Sequence, residues 1–311
     1  MLTKTDSDSA RGFINAVRTG LFLAGVIMQT SFDCLPCFIR QAVDAARAFS
    51  ADEALREKIV REVLGWASEM DFSRPPALIG GRIHRRLREL TGRTDPYREE
   101  KDLQNQMALR LLPRLEEEVA ASADPVWTAA RLAIAGNLID LGVSGKFSEE
   151  DLLRDLHDAL DGPFAGPREA FLKEVEGAER ILYLADNAGE IVFDGLLIDR
   201  LSPERVTLAV RGTPVLNDAT LADAETAGLA GRVETVENGS DLPGTLLEEC
   251  SEEFRRRFAR ADLILAKGQG NFETLSGRDA NVVFLFKAKC SVVARRAGVP
   301  LGTSVVTGTH W

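Results

Sequence analysis

The sequence predicts an α/β protein: a Rossmann-like, mostly parallel sheet with flanking helices, joined to an N-terminal all-α helical subdomain. Three observations carry that reading. From about residue 33 to 175, apolar residues recur at spacings of three and four, as in CFIRQAVDAARAF and EALREKIVREVLGWASEM. After about residue 178 the texture changes to short apolar runs: RILYLAD, VTLAV, RVETV, DLILAKG and NVVFLF. Segments of helical pattern separate those runs, and strands alternating with helices build a parallel sheet with ligands at the carboxyl ends of its strands.

Residues 1–30 read as an extension, either disordered or contributed by a mis-assigned start, with Met28 as the alternative first residue. Its apolar run LFLAGVIM, at 21–28, follows Arg11 and Arg18. It is too short to cross a bilayer, and no small-x-small cleavage site follows it. Residues 31–177 form the expected helical subdomain, with IGGRIHRRLREL, DLQNQMALRLLPRLEEEVA and DPVWTAARLAIAGNLIDLG as further helices. Its stops are SRPPA, TGRTDP and SADP, where Pro and Asp supply turn chemistry and new helix starts. Residues 178–311 form the expected α/β domain. Its helices are EIVFDGLLIDRL, NDATLADAETAGL, LLEECSEEFRRRFA and CSVVARRAG.

Composition excludes some functions. With 38 basic against 48 acidic residues, the net charge of −10 argues against a nucleic-acid surface, which needs clustered Lys and Arg. Nothing marks a membrane partner. Four cysteines in 311 residues imply no disulfide framework, so the expected compartment is a reducing cytoplasm.

Three polar clusters fall at predicted strand ends. Asp186, Asn187, Gly189 and Glu190 follow the first, RGTPVLND (211–218) the second, and KGQGNFE (267–273) the fourth. Asp186, Asn187 and Asp218 offer hard oxygen ligands of the kind Mg²⁺ or Mn²⁺ prefers. With only three histidines, an ordinary zinc site is not expected. Arg211 and Lys267 supply positive charge, Gly189, Gly212, Gly268 and Gly270 allow close backbone approach, and Asn217 and Asn271 add amides. Ion and phosphate cradle together suggest phosphoryl chemistry. Taken singly, a DN at a strand end also reads as a helix cap.

Other readings are weaker. GQGNFE has Glu273 where a dinucleotide fingerprint needs a small residue, and no GxxxxGK[ST] occurs. An aspartyl-phosphate route through Asp186 lacks a second acid two residues on, because position 188 is Ala. CLPC (34–37) starts a helix, and its roles divide between structure, metal and redox chemistry. In AGNLIDLG, Asn137 and Asp140 interrupt an apolar face; either they end a helix at Gly142 or they point into the cleft between the two halves. His84, His157 and His310 lie among charged or terminal residues and are expected at the surface.

CLPCFIRQA, AGNLIDLG, LADNAGEIVFD, RGTPVLNDAT, AKGQGNFE and FLFKAKCSVVA, in that order, resemble the damage-control phosphatase family, also catalogued as domain-of-unknown-function family 89, in its CxxC-bearing prokaryotic branch. The resemblance covers about residues 33–308. It implies a phosphatase of small phosphorylated metabolites, such as sugar phosphates or damaged intermediates, that uses Mn²⁺, Mg²⁺, Co²⁺ or Ni²⁺. It implies Asp186, Asn187 and Asp218 as metal ligands, Lys289 as the phosphate-side lysine, and the loop from Lys267 to Asn271 beside the substrate. Other branches carry KGDLNYR where this chain has KGQGNFE, so substrate identity does not transfer. The expected reaction is hydrolysis by a metal-activated water, with Glu190 or Asp218 orienting the water and Lys267 and Lys289 offsetting phosphoryl charge. The alternatives are a non-catalytic phosphometabolite- or nucleotide-binding protein and, less favoured by DNAGE and RGTP, a methyltransferase.

Overall fold

The computed structural model of the protein describes residues 27–138 and 149–311. Its helices are α1 (Leu35–Phe49), α2 (Glu53–Ser68), α3 (Ala77–Thr91), α4 (Arg98–Ala121), α5 (Pro125–Ala135), α6 (Glu149–Asp161), α7 (Arg168–Gly177), α8 (Glu190–Ile198), α9 (Leu221–Thr226), α10 (Glu252–Arg260), α11 (Gly268–Leu275) and α12 (Ser291–Ala297). The strands are β1 (Phe164–Ala165), β2 (Ile181–Leu184), β3 (Val206–Val210), β4 (Glu234–Glu237), β5 (Leu263–Lys267), β6 (Val282–Lys287) and β7 (Ser304–Gly308). They form one seven-stranded sheet in the order β1-β7-β6-β5-β2-β3-β4. All neighbours run parallel except β6 and β7.

The mostly parallel sheet matches the fold class read from the sequence, but β1 and β7 add to the five strands read there. SVVTG is short, and its place is fixed by antiparallel pairing with β6, which local pattern does not announce.

The central strands are apolar throughout because helices cover both faces. Ile181 and Tyr183 face one core with Leu263, Leu265, Val283 and Leu285. Leu182, Leu184, Ile264, Ala266, Phe284 and Phe286 face the other, as the two-residue period of a strand requires. Edge strand β4, ETVE, is partly exposed along its whole length. Helices α4 to α8 close the first core and α10 to α12 the second, so apolar packing runs across the boundary expected at residue 177. Helices α1 to α3 hold small clusters of their own. Phe38, Ala42, Ala45 and Ala46 give α1 a buried stripe at helical spacing.

His84 departs from its expected surface position: it is 1 % exposed on the inner face of α3, with Nδ1 3.1 Å from the Tyr97 hydroxyl. The charged neighbours in RIHRRL mislead because the helix turns Gly80, Gly81, Ile83, His84 and Leu87 inward. Burial, helped by Arg88, pushes its pKa down to about 3. The unfolded chain protonates this imidazole near pH 6.5, whereas the native state resists doing so. The His84 contribution to stability is therefore full above pH 6.5 and is lost as pH falls toward 3. Acidifying from about pH 7.5 to about pH 4.5 is expected to cost about 2–3 kcal/mol through this residue. Urea titrations of His84→Leu should show that part of the acid sensitivity removed.

Candidate active site

Strand β2 lies where strand order reverses, with β3 on one side and β5 on the other, and a crevice opens beyond their carboxyl ends. Leu184 is in register with Ala209 and Ala266, so the segments following all three strands meet at one edge. The segment after β2 is zipped to the one after β3. Ala188 N–H donates to the Asn217 carbonyl at 2.8 Å and Ala219 N–H to the Asp186 carbonyl at 2.8 Å, which makes Asn187 and Asp218 a bridge pair. Leu216 makes the turn before them at φ +48°, a strained value for a residue with a side chain. On the β5 side, Gly268 has φ +78°, and a Cβ there would overlap the Asp186 carboxylate.

Three carboxylates, Asp186, Glu190 and Asp218, crowd this corner, with Asp194 behind them. Arg211 Nε holds Asp218 at 2.6 Å, with both side chains buried. Lys267 Nζ lies 2.7 Å from Glu190 Oε1 and 2.6 Å from Asp194 Oδ1, and it donates to the Ala133 carbonyl at 2.9 Å. Among the described residues Asp186 has no ion-pair partner: its Oδ2 accepts from Asn187 Nδ2 at 2.8 Å and Asn137 Nδ2 at 3.3 Å. Burial raises the Asp186 pKa well above the carboxylate range, and the Glu190 and Asp218 charges raise it further. Burial also raises Asp218, against the opposing pull of Arg211.

These groups floor a cleft of 460 Å³ between the sheet edge and α1 and α3. Asn137, Asp186, Asn187, Asn217, Asp218, Gly270 and the exposed Lys289 reach its surface, joined by Gln269, Glu273 and Lys287. Other residues expected beside the substrate stand behind that surface. Lys267 is fully buried on its two carboxylates, and Arg211 is committed to Asp218 and, at 3.4 Å, to Thr245. Glu190 is buried between Lys267 and the amides of Asn137 and Asn187. Gly189 gives its N–H to Asn105, Gly268 makes room for Asp186, and Asn271 is buried, donating to the Lys267 carbonyl. These groups shape the site electrostatically and sterically without facing the cleft. Asp140 and most of the 1–30 extension lie outside the described residues. A larger hollow of 630 Å³ lies at the amino ends of the strands, where arginines such as Arg257 and Arg180 already pair with acidic neighbours.

Sequence reading missed two buried residues of α4. Asn105 Oδ1 accepts the Gly189 N–H at 2.7 Å while its Nδ2 donates to Asp223 at 2.9 Å. Lys101 pairs with Asp223 at 2.7 Å, and Asp223 caps α9 through Thr220. The sequence offered only Lys101 and Asn105 at i, i+4 on one face of KDLQNQMALRLL, and their partners Gly189 and Asp223 lie more than eighty residues away. Asn105→Ala is expected to loosen the 186–190 segment. Calorimetry should show divalent-ion affinity weakened about tenfold, the lower end of the range for groups behind a ligand shell.

The donor set suits a hard divalent ion. Asp186, Asn187 and Asp218 line one cleft, Asn187 and Asp218 as a bridge pair, and among the described residues Asp186 has no ion pair and the buried Asn137 Oδ1 has no hydrogen-bond partner. Fold and site together define an α/β protein with a carboxylate and amide centre at its switch point.

The chain belongs to the damage-control phosphatase ARMT1-like domain family, whose model matches residues 30–305. It is 38 % identical over 285 residues to a damage-control phosphatase of Archaeoglobus fulgidus, covering 89 % of this chain and 98 % of that protein. A damage-control phosphatase of Pyrococcus horikoshii is 35 % identical over 284 residues, covering 89 % and 97 %. An uncharacterized protein of Methanocaldococcus jannaschii is 36 % identical over 287 residues, covering 88 % and 93 %. The crystal structure of a DUF89 family protein from P. horikoshii superposes with a TM-score of 0.83 at 33 % identity, covering 91 % of this chain and 99 % of that one.

Proposed function

We propose that this protein is a cytoplasmic, metal-dependent phosphomonoesterase acting on small phosphorylated metabolites. The observation that carries the reading is the crowding of buried carboxylates at the floor of a cleft whose wall presents Lys289. The names of the A. fulgidus and P. horikoshii relatives support the same class of reaction. Asp186, Asn187 and Asp218 would hold a divalent ion, Mn²⁺ or Mg²⁺ by donor type, with Co²⁺ or Ni²⁺ as substitutes. When bound, such an ion supplies Lewis acidity to a phosphoryl oxygen and lowers the pKa of a bound water.

The chain's own residues do the rest. Arg211 fixes the Asp218 carboxylate at one oxygen. Asn137 and Asn187 aim their amides at Asp186 and Glu190, and Lys267 compensates Glu190 from behind. Lys289, whose N–H donates to Gln269 Oε1 at 3.2 Å, is placed at the mouth to offset phosphoryl charge, with Lys287 beside it. Among the described residues, no helix is long and apolar enough to cross a membrane.

A screen of p-nitrophenyl phosphate and phosphometabolites with Mn²⁺, Mg²⁺, Co²⁺ and Ni²⁺ tests the proposal. Hydrolysis should require a divalent ion and stop on chelation. Binding by calorimetry without turnover would instead favour a sensor or carrier.

A further inference from the structure

CLPC, left unabsorbed by the phosphatase site, lies in the wall of the same cleft. Cys34, Cys37 and Cys290 all line it, together with Glu273. All three thiols are free, as is Cys250, which is buried and donates to the Leu246 carbonyl. Cys34 closes a 3-10 turn (Phe32–Cys34) and caps α1, with φ −80° and ψ −24°. Cys37 stands three residues on, in the first turn of α1, and is exposed. Cys34 ends the 3-10 turn and Cys37 lies in the first turn of α1, at the i, i+3 spacing that puts two side chains on one face of a helix. Cys290 caps α12, where its sulfur accepts the Val293 N–H at 3.4 Å. An ion pair between Asp33 and Arg295, at 2.6 Å, ties the start of α1 to α12.

We propose that Cys34 and Cys37 form a redox dithiol that reacts with low-molecular-weight disulfides entering the cleft. The geometry assigns the roles. Cys37, open to solvent, is the sulfur that attacks. Cys34 is half-buried, and burial together with the nearby Glu273 and cysteine charges raises its thiol pKa, so it is a poor first nucleophile. The Cys37 thiolate attacks one sulfur of RSSR, forming the Cys37–SR bond and releasing RS⁻. Cys34 then attacks the Cys37 sulfur, forming the Cys34–Cys37 bond and releasing the second RS⁻. The two thiol protons pass to the released thiolates, so the dithiol is oxidised by two electrons and RSSR is reduced to 2 RSH. Cys290, held on Val293, stays a thiol. Nothing in this chemistry depends on phosphate-ester hydrolysis.

The test uses the full chain, reduced, desalted, exposed to glutathione disulfide, alkylated, then analysed by intact mass and peptide mapping. Wild type should become lighter by two hydrogens, with Cys34 and Cys37 protected and Cys290 alkylated. Cys34→Ser should trap one glutathione on Cys37. Cys37→Ser should react at least about tenfold more slowly. Stable glutathionylation of Cys37 in wild type with Cys34 still alkylatable would overturn the proposal, as would a disulfide mapped to Cys290. Should Cys34→Ser not fold, Cys290→Ser decides: it must lose the same two hydrogens at the wild-type rate, and failure to do so overturns the assignment.

Discussion

Asp186→Asn is expected to reduce divalent-ion-dependent hydrolysis of p-nitrophenyl phosphate by more than about 100-fold, since even groups behind a ligand shell cost 10–100-fold. The substitution keeps the shape of the side chain and removes its charge. Of the three carboxylates in the corner, Glu190 has Lys267 and Asp218 has Arg211, whereas among the described residues Asp186 is bonded by amides and no cation. Without an ion, that charge works against the fold, because burial and two like charges oppose it. The chelator-treated variant should therefore melt at or above the wild-type temperature while lacking the Mn²⁺-induced stabilisation expected of wild type. Activity and ion-induced stabilisation should vanish together. Full activity in the variant would refute the ligand assignment.

Lys267→Met is expected to cost about 3–5 kcal/mol of stability, the range for breaking a buried ion pair by removing one partner. The ammonium is fully buried between Glu190, Asp194 and the Ala133 carbonyl. Although burial opposes its charge, Asp194 and Glu190 hold it protonated. Burial pushes Asp194 up to about 6 even with this partner, so without Lys267 the acid takes a proton or the helix shifts. Helix α8 carries both carboxylates, and all nine of its residues are buried, so the damage should spread through the first core. Equilibrium urea unfolding measures the loss. Adding Glu190→Gln and Asp194→Asn should restore much of the stability but not the activity, separating charge compensation from site geometry. A single variant as stable as wild type would show that the buried pair contributes little.

The residues at strand ends were legible in the sequence because they contradict their surroundings: Asp186 and Asn187 terminate an apolar run, and Asp218 follows another across the short turn RGTPVLN. Which polar groups face the cleft was less legible. Lys267 and Arg211 look like anion ligands in a string of letters, yet each sits next to carboxylates that only three-dimensional packing supplies. Asn105 and Lys101 gave almost no signal, since their partners Gly189 and Asp223 come from the other half of the chain. The helix and strand pattern was readable where burial repeats with one period. It was unreadable at β1, two residues long, and at β7, defined by its neighbour.

In the stretch KGQGNFE, the residues shared with KGDLNYR are Lys267, Gly268 and Asn271, which turn away from the cleft together with the buried Phe272. Gln269, Gly270 and Glu273, which differ, line it. Helix α11 thus has a fixed root and an interchangeable flank, and grafting the other flank onto this chain would meet one obstacle. A side chain at Gly270 would press on the Pro243 carbonyl at 3.0 Å, and Gly244 at φ +115° already abuts the Gly270 carbonyl. A larger residue at Gly270 therefore asks the 243–244 turn to move with it, which couples α11 to that turn as one exchangeable unit.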